Sequence, residues 1–176
     1  WPKPQGISLA GKTVALVGLG DIGKHLVVRL KACDMRVIGY DPYASDAPEL
    51  SGVERAAWPD RLGEADFVVI TCALTDSSHH MVNAETLAAM PPGVRVVNVG
   101  RGPVVHECAL EDALDAGHVH SAALDVFEVE PLPEASRLRG HARCVFGSHN
   151  ASNTREGVIR TSDKAIDTLA EFLKAK

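Results

Sequence analysis

Residues 13–23 read TVALVGLGDIG, and this stretch sets the architecture into which the rest of the sequence must fit. The apolar run Thr13–Val17 is typical of a buried strand. It leads directly into the pattern G-x-G-x-x-G at residues 18–23, and apolar residues then recur with helical spacing over residues 22–32. A strand, a glycine-rich turn and a helix in this order form the context that a dinucleotide-binding turn requires.

The glycines of this turn differ in what each allows. Gly18 permits the tight turn, Gly20 lets a pyrophosphate approach the backbone, and Gly23 lets the helix pack closely on the strand. The N-terminus of the helix then offers backbone N–H groups and a positive dipole end to the phosphates. The turn alone is a weak signal, because glycine-rich turns also occur without a ligand, so its context carries the prediction.

An acidic residue, Asp41, follows the next predicted strand. A carboxylate at this place can accept hydrogen bonds from both ribose hydroxyls of NAD, and it would repel the 2′-phosphate of NADP. Pro42 follows it, and no arginine stands beside it to bind such a phosphate. The alternative is a solvated aspartate next to an ordinary glycine turn. Because strand, turn, helix and acid occur together, we predict NAD as the cofactor.

Short apolar runs and helical patterns alternate along the rest of the chain. The runs predict strands at residues 36–40, 66–71, 94–99, 121–126 and 143–146, and the helical patterns lie near residues 83–90, 107–116 and 154–174. Strands that are almost continuously apolar are typical of a parallel sheet covered on both faces. The alternation predicts an α/β fold of the Rossmann type, a doubly wound parallel sheet in three αβα layers. Residues 41–60 are predicted to form an irregular surface loop.

Composition narrows the class of protein. The chain has 176 residues, which corresponds to one domain, and its formal net charge of −5 argues against a nucleic-acid partner. No apolar run approaches the roughly 18 residues that a membrane span needs, so we expect no membrane partner. The widely spaced cysteines form no C-x-x-C pair, which favours reduced, mostly buried thiols in a cytoplasmic protein. They are Cys33, Cys72, Cys108 and Cys144.

Polar side chains follow three of the predicted strands, where open α/β sheets bind their ligands. Arg101 stands between two glycines and can present a planar fork to a carboxylate. His149 is the type of side chain whose pKa lies nearest neutrality, and a carboxylate such as Glu130 beside it would favour its charged, proton-donating form. Each residue alone is typical of a surface arginine, a loop glutamate or a capping histidine. Together they predict hydride transfer between a nicotinamide cofactor and a 2-keto acid.

The remaining histidines have simpler interpretations. His79 and His80 lie in a polar loop, and His106 precedes a predicted helix. No pair combines metal-ligand spacing with a third ligand, so we predict no metal site.

Several blocks of the sequence resemble the NAD-binding domain of the D-isomer-specific 2-hydroxyacid dehydrogenases, with phosphoglycerate dehydrogenases most similar. The blocks are GLGDIG (18–23), GYDP (39–42), NAETLAAM (83–90), VVNVGRGPVV (96–105), AALDVFEVEPLP (122–133) and SHNAS (148–152). They occur in the family's order and span nearly the whole chain. Segments YDPY (40–43), GVERA (52–56) and SHHMVN (78–83) also resemble the C-terminal-binding-protein corepressors, a branch of the same family.

The resemblance implies a role for individual residues. Arg101 would hold the substrate carboxylate, His149 would be the acid and base, and Glu130 would be its partner. The remaining implied cofactor contacts are backbone groups of Asp21 and Ile22 at the pyrophosphate, Asp41 and Pro42 at the adenosine ribose, Cys72 at the adenine side, and Val99, Gly100, Arg101, Asp125, His149 and Ala151 around the nicotinamide half.

The chain departs from the family pattern in two ways. Ser148 stands where the family commonly has proline, and Asn150 and Ser152 replace residues that are commonly small or apolar. The family also has a second, substrate-binding domain, so we expect residues 1–176 to form a single NAD-binding domain. Residues 1–12 would then be a linker, and residues 154–176 would be the last helix towards the absent domain. Such a fragment would bind NAD and turn over weakly or not at all.

The expected full-length protein is an NAD-dependent D-2-hydroxyacid dehydrogenase that acts on a small 2-hydroxy or 2-keto acid. The resemblance implies a homodimer. Two alternatives stay open from the sequence: an NAD(H)-sensing dimerisation or scaffold module of the corepressor type, and an NADP-linked reductase.

Overall fold

Parallel strands form one continuous sheet in the computed structural model, which describes residues 6–174. In chain order the strands are β1 Thr13–Val17, β2 Arg36–Tyr40, β3 Glu54–Arg55, β4 Phe67–Ile70, β5 Val94–Asn98, β6 Val119–Leu124 and β7 Cys144–Phe146. Their spatial order is β3-β2-β1-β4-β5-β6-β7, and every pairing is parallel. This order reverses direction between β1 and β4, where a doubly wound sheet opens its ligand crevice.

Helices connect the strands. They are α1 Asp21–Ala32, α2 Ala84–Ala88, α3 Glu107–Asp115 and α4 Arg155–Lys174, with single 3₁₀ turns at Pro48–Leu50, Leu62–Glu64, Gly102–Val104 and Arg137–Gly140. The predicted helices are confirmed within a few residues at each end. The start of α2 is set by Asn83, whose side chain accepts hydrogen bonds from the N–H groups of Glu85 and Thr86. This cap satisfies donors that the first helical turn leaves without a partner.

The two faces of the sheet are covered by different helices. Val14 and Leu16 of β1 belong to a core cluster that contains Val27 of α1. Ala15 and Val17, which point to the other face, belong to a cluster with residues of α2 and α3. Successive side chains of a strand point to opposite faces, so an unbroken apolar strand fills both cores. The predicted three-layer Rossmann-type fold is therefore confirmed.

Two predictions about the chain's surface are wrong. The predicted irregular loop at residues 41–60 contributes an edge strand, β3, which is too short and too polar to show an apolar pattern. Its Glu54 pairs with Arg36 of β2 at 2.7 Å, so a tertiary ion pair accompanies the strand pairing. The cysteines are not mostly buried either, because Cys33 ends α1 at the surface and Cys108 lies on the outer side of α3.

The far edge of the molecule is more exposed than the centre. Val145 of β7, the last strand of the sheet, is 70% exposed. No residue of α4 is buried, and its exposed apolar side chains include Ile159, Ile166 and Leu169. Within residues 6–174, no helix combines the length and apolar character that crossing a membrane requires. Residues 1–5 of the predicted linker lie outside the described part of the chain.

Candidate active site

The glycine turn after β1 has the geometry that its sequence predicts. Gly18 has φ +96°, and a Cβ there would lie 2.7 Å from the backbone nitrogen of Cys72. A Cβ on Gly23 would lie 2.3 Å from the carbonyl oxygen of Gly18, so both positions need glycine. Gly20 differs, because a Cβ there would meet no atom within 4 Å. The space beside Gly20 is open, and no side chain caps the N-terminus of α1, which fits the pyrophosphate of a dinucleotide.

Asp41 is tied to the glycine turn through the backbone. One of its carboxylate oxygens accepts a hydrogen bond from the N–H of Leu19 at 2.9 Å, and the other accepts one from the N–H of Tyr43 at 2.9 Å. Within residues 6–174 no lysine, arginine or histidine forms an ion pair with Asp41. A carboxylate fixed by main-chain donors and not neutralised by a cation fits the ribose hydroxyls of NAD.

A cleft of about 440 Å³ opens at the crevice between β1, β4 and β5. Its lining residues are Ile22, Thr71, Cys72, Ala73, Leu74, Val99, Gly100 and Arg101. Four residues with predicted cofactor contacts, Ile22, Cys72, Val99 and Gly100, therefore line one cleft, although the sequence assigns them to different parts of the cofactor. Burial raises the pKa of the Cys72 thiol, so this side chain presents an uncharged sulfur to the cleft.

Asn98, which sequence reasoning missed, shapes the turn that carries Arg101. Its side chain is 1% exposed, accepts a hydrogen bond from the N–H of Gly100 at 3.0 Å and donates one to the carbonyl of Arg101 at 3.0 Å. Arg101 is exposed, and its guanidinium donates to the carbonyl of Gly100. No carboxylate among residues 6–174 forms an ion pair with it. An asparagine at a strand end before a glycine is the signal that would have indicated this turn.

Glu130 and His149 form a direct contact, as the sequence predicts. Nδ1 of His149 lies 2.8 Å from Oε2 of Glu130, and the other carboxylate oxygen accepts a hydrogen bond from the N–H of Phe127 at 3.0 Å. The hydrogen bond from His149, followed by that from Phe127, lowers the pKa of Glu130. A carboxylate at Nδ1 places the proton there in the neutral ring and leaves Nε2 for exchange with a ligand. The imidazole is 46% exposed, so a ligand has access to it.

Asp125 anchors the loop that carries His149. Its carboxylate accepts hydrogen bonds from the N–H groups of Asn150 at 3.2 Å and Ala151 at 3.0 Å, and its carbonyl accepts one from the N–H of His149 at 2.8 Å. The resemblance predicts a cofactor contact for Asp125, and the observed bonds add an anchoring role that sequence reasoning missed. This anchor holds His149 in the left-handed region at φ 57°.

The predicted catalytic residues line two different cavities. Arg101 lines the cleft beside α1, whereas Glu130 and His149 line a second cavity of about 440 Å³. Phe127, Leu132 and Phe146 give this second cavity an apolar wall. The three polar residues follow β5, β6 and β7, which are successive strands, so they face the same edge of the sheet. Among residues 6–174 no group of three or more histidine, cysteine or acidic side chains has an arrangement that would hold a metal ion.

Comparison with protein families and sequences gives a consistent result. The family model described as "D-isomer specific 2-hydroxyacid dehydrogenase, NAD binding domain" matches residues 1–151. The chain is 39% identical over 175 residues to D-3-phosphoglycerate dehydrogenase 2, chloroplastic, of Arabidopsis thaliana. That match covers 99% of this chain and 28% of the plant protein, so the chain spans less than a third of this relative's length.

Comparison with solved structures points to the same family. A D-lactate dehydrogenase from Treponema pallidum superimposes with a TM-score of 0.89 at 29% identity, covering 100% of this chain and 57% of that one. A D-isomer-specific 2-hydroxyacid dehydrogenase from Xanthobacter autotrophicus Py2, in complex with NADPH and MES, has a TM-score of 0.77 at 35% identity. That match covers 85% of this chain and 48% of the other.

Proposed function

This chain belongs to the D-isomer-specific 2-hydroxyacid dehydrogenase family as its NAD-binding domain, and we propose that it supplies the acid–base pair and the carboxylate-binding arginine for oxidation and reduction of a 2-hydroxy acid. The observation that carries the proposal is the contact of 2.8 Å between His149 Nδ1 and Glu130 Oε2, in loops that follow the carboxyl ends of β6 and β7.

Each half of the cofactor has its own contacts in this proposal. The turn of Gly18, Gly20 and Gly23, with the N–H groups of Asp21 and Ile22, binds the pyrophosphate. The residues for the other parts are Asp41 and Pro42 for the adenosine ribose, Cys72 for the adenine side, and Val99, Gly100, Asp125 and Ala151 for the nicotinamide side. Support comes from the open space at Gly20 and from the two backbone bonds that fix Asp41.

The chemistry needs a hydride and a proton. NADH held by these residues would supply the hydride for the carbonyl carbon of a 2-keto acid. His149 donates the proton from Nε2 to the carbonyl oxygen, and Glu130 stabilises the imidazolium that exists before the transfer. Arg101 binds the substrate carboxylate and turns the carbonyl towards His149. In the reverse direction His149 accepts the hydroxyl proton.

The proposal extends to the activity and assembly of the full-length protein. Its relatives act as a phosphoglycerate dehydrogenase and a D-lactate dehydrogenase, which supports a 2-hydroxy or 2-keto acid as the substrate class. We expect a separate substrate domain to complete the cleft, and the exposed apolar side chains of α4 support such a packing partner. On its own the chain would catalyse the reaction weakly, since it lacks the domain closure that excludes water from the site.

A homodimer in the cytoplasm is part of the same proposal. The relatives named above are dehydrogenases, and none of them favours the scaffold alternative.

The test is NADH oxidation by the full-length protein across a panel of 2-keto acids, with and without His149→Ala. Loss of a general acid lowers turnover by about 10²- to 10⁴-fold, and NADH affinity should stay unchanged. His120→Ala is the control, because this histidine lies near the amino end of β6, away from the strand ends that form the site. Full turnover by His149→Ala would remove the proposed acid.

A further inference from the structure

The loop that carries Glu130 is bound to the start of α3 by two glutamates. The carboxylate of Glu128 accepts a hydrogen bond from the N–H of Glu107 at 3.0 Å. In return, the carboxylate of Glu107 accepts a hydrogen bond from the N–H of Glu128. Each acid therefore satisfies the backbone donor of the other, although they are far apart in the sequence. Such a reciprocal pair fixes both the main chain and the side chain of Glu128.

His80 adds a third contact to this pair. Its Nε2 lies 2.8 Å from the same oxygen of Glu128 that accepts the Glu107 N–H. His80 is itself held, because its N–H donates to the carbonyl of Pro103 and its ring packs edge-on against His106 at a centroid distance of 4.7 Å. This oxygen of Glu128 thus contacts groups of two other segments, the loop before α2 and the first residue of α3. The network connects the segments before α2 and α3 with the loop after β6.

This network ends directly at the acid–base pair. The peptide between Phe127 and Glu128 is fixed by Glu107 at the N–H of Glu128, and the preceding N–H, that of Phe127, donates to Glu130 at 3.0 Å. One oxygen of Glu130 accepts this bond, and the other oxygen contacts Nδ1 of His149. The two bonds hold successive N–H groups of one backbone segment, so a displacement of Phe127 and Glu128 would also move the N–H that holds the Glu130 carboxylate against the imidazole.

We propose that Glu128, with Glu107 and His80 as its partners, is a positioning residue that holds Glu130 against His149. Its importance for catalysis rests on the proposed acid–base function of that pair. Glu128 does not contact the reacting groups; it acts through the backbone of the loop. Burial raises the pKa of Glu107, and the nearby charges of Glu128, Glu111 and Glu130 raise it further.

The test measures the hydrogen bond at His149 itself. Nitrogen-15 NMR of the imidazole, at a pH where the ring is neutral, reports which nitrogen carries the proton. In the unmodified chain we expect the Nδ1–H form, and Glu130→Ala should abolish this preference. Glu128→Ala should abolish it too, although it leaves Glu130 in place. Glu85→Ala is the matched control, because this exposed glutamate of α2 lies outside the network.

Conservative variants separate positioning from packing. Glu107→Gln keeps an amide oxygen that can accept the Glu128 N–H, so it should retain the Nδ1–H form, whereas Glu107→Ala should lose it. Glu128→Gln should fold even if Glu128→Ala does not, and it should show a reduced Nδ1–H population because the bond to His80 weakens. An unmodified imidazole spectrum in both Glu128→Gln and Glu107→Ala would overturn the proposal.

The same spectra distinguish this proposal from the proposed function. If Glu130→Ala leaves the imidazole unchanged, the Glu130–His149 pair itself is refuted, and with it the proposed acid–base function. If Glu130→Ala changes the imidazole and the Glu128 and Glu107 variants do not, only the positioning role fails.

Discussion

Two ends of the ligand crevice are built on different principles. We call the turn at residues 18–23 together with Asp41 the cofactor end, and the loops at residues 125–131 and 147–151 the acid–base end. At the cofactor end the shape comes from glycines, whose missing side chains let backbone segments approach closely, and from one carboxylate, Asp41, that accepts the N–H of Leu19. At the acid–base end it comes from carboxylates that accept backbone N–H groups of distant segments.

This difference teaches which part of a site a local motif can encode. The strands behind the cofactor end are buried along their length, and β1 is buried at every residue. The last strand beside the acid–base end is mostly exposed. A turn on a buried strand needs few further contacts, whereas a loop beside an edge strand needs specific anchors. The following predictions test this contrast, from the largest expected effect to the smallest.

Gly102→Ala should produce the largest loss of stability, because Gly102 packs directly against the backbone of the acid–base end. A Cβ at Gly102 would lie 1.8 Å from the carbonyl oxygen of Phe127, which is backbone and cannot rotate away. We expect a loss of about 3 kcal/mol or more in the free energy of unfolding, the upper end for overpacked sites. Chemical denaturation measures it. Gly140→Ala is the control, since a Cβ there meets nothing within 4 Å; equal stability of the two variants would contradict the contrast.

Asp41→Ala tests the cofactor end with an effect on binding. Without the carboxylate, nothing repels a 2′-phosphate, so the preference for NADH over NADPH should fall by about tenfold, or about 1.4 kcal/mol. Calorimetric titration of the chain with both nucleotides measures this, and the relative in complex with NADPH makes the comparison informative. Glu49→Ala is the charge-matched control on an exposed position. An unchanged preference in Asp41→Ala would remove Asp41 from the ribose site.

Acid should weaken the sheet edge behind the cofactor end by a smaller amount. Hydrogen bonds from Arg36 and Arg61 lower the pKa of Glu54 to about 2, and bonds from Arg61 and Arg36 lower that of Glu64 to about 2. Because the folded pKa lies below the ordinary value of 4.5, this stabilisation is present above pH 4.5 and is lost as the pH falls towards 2. The effect is small because the pairs are exposed.

Urea denaturation at several pH values measures this loss. Glu54→Gln should have a shallower dependence of stability on pH than the unmodified chain in that window. Glu49→Gln removes a carboxylate that makes no such pair and should keep the full dependence. Identical pH profiles for Glu54→Gln and the unmodified chain would show that these surface pairs contribute nothing to stability.

The cofactor end was predictable from sequence because its signals are short patterns of residue types at the ends of two strands, β1 and β2. The apolar run of β1, the glycine spacing and Asp41 each have a local physical reason, and the structure places them together. Glu130 and His149 were also paired correctly, since successive strand ends in a parallel sheet share one edge. The helices were predictable to within a few residues from their apolar spacing.

Other features depend on contacts that no local pattern shows. β3 consists of two charged residues, Glu54 and Arg55, whose strand conformation depends on pairing with β2. The anchoring role of Asp125 depends on N–H groups at Asn150 and Ala151, and its type alone indicates only a polar strand end. Cys108 was misplaced because cysteine is more often buried than exposed, and only the packing of α3 decides which side it faces.

The way Asp125 holds the loop after β7 has a consequence for how this protein can change. All three bonds of that anchor end on main-chain N–H groups, so they do not depend on which side chains the loop carries. We therefore expect that Ser148, Asn150 and Ser152 can be substituted, for example in a directed-evolution library, without changing the position of the His149 imidazole. Substitutions at these neighbouring positions can then alter substrate contacts at little structural cost, while His149 stays where the anchor holds it.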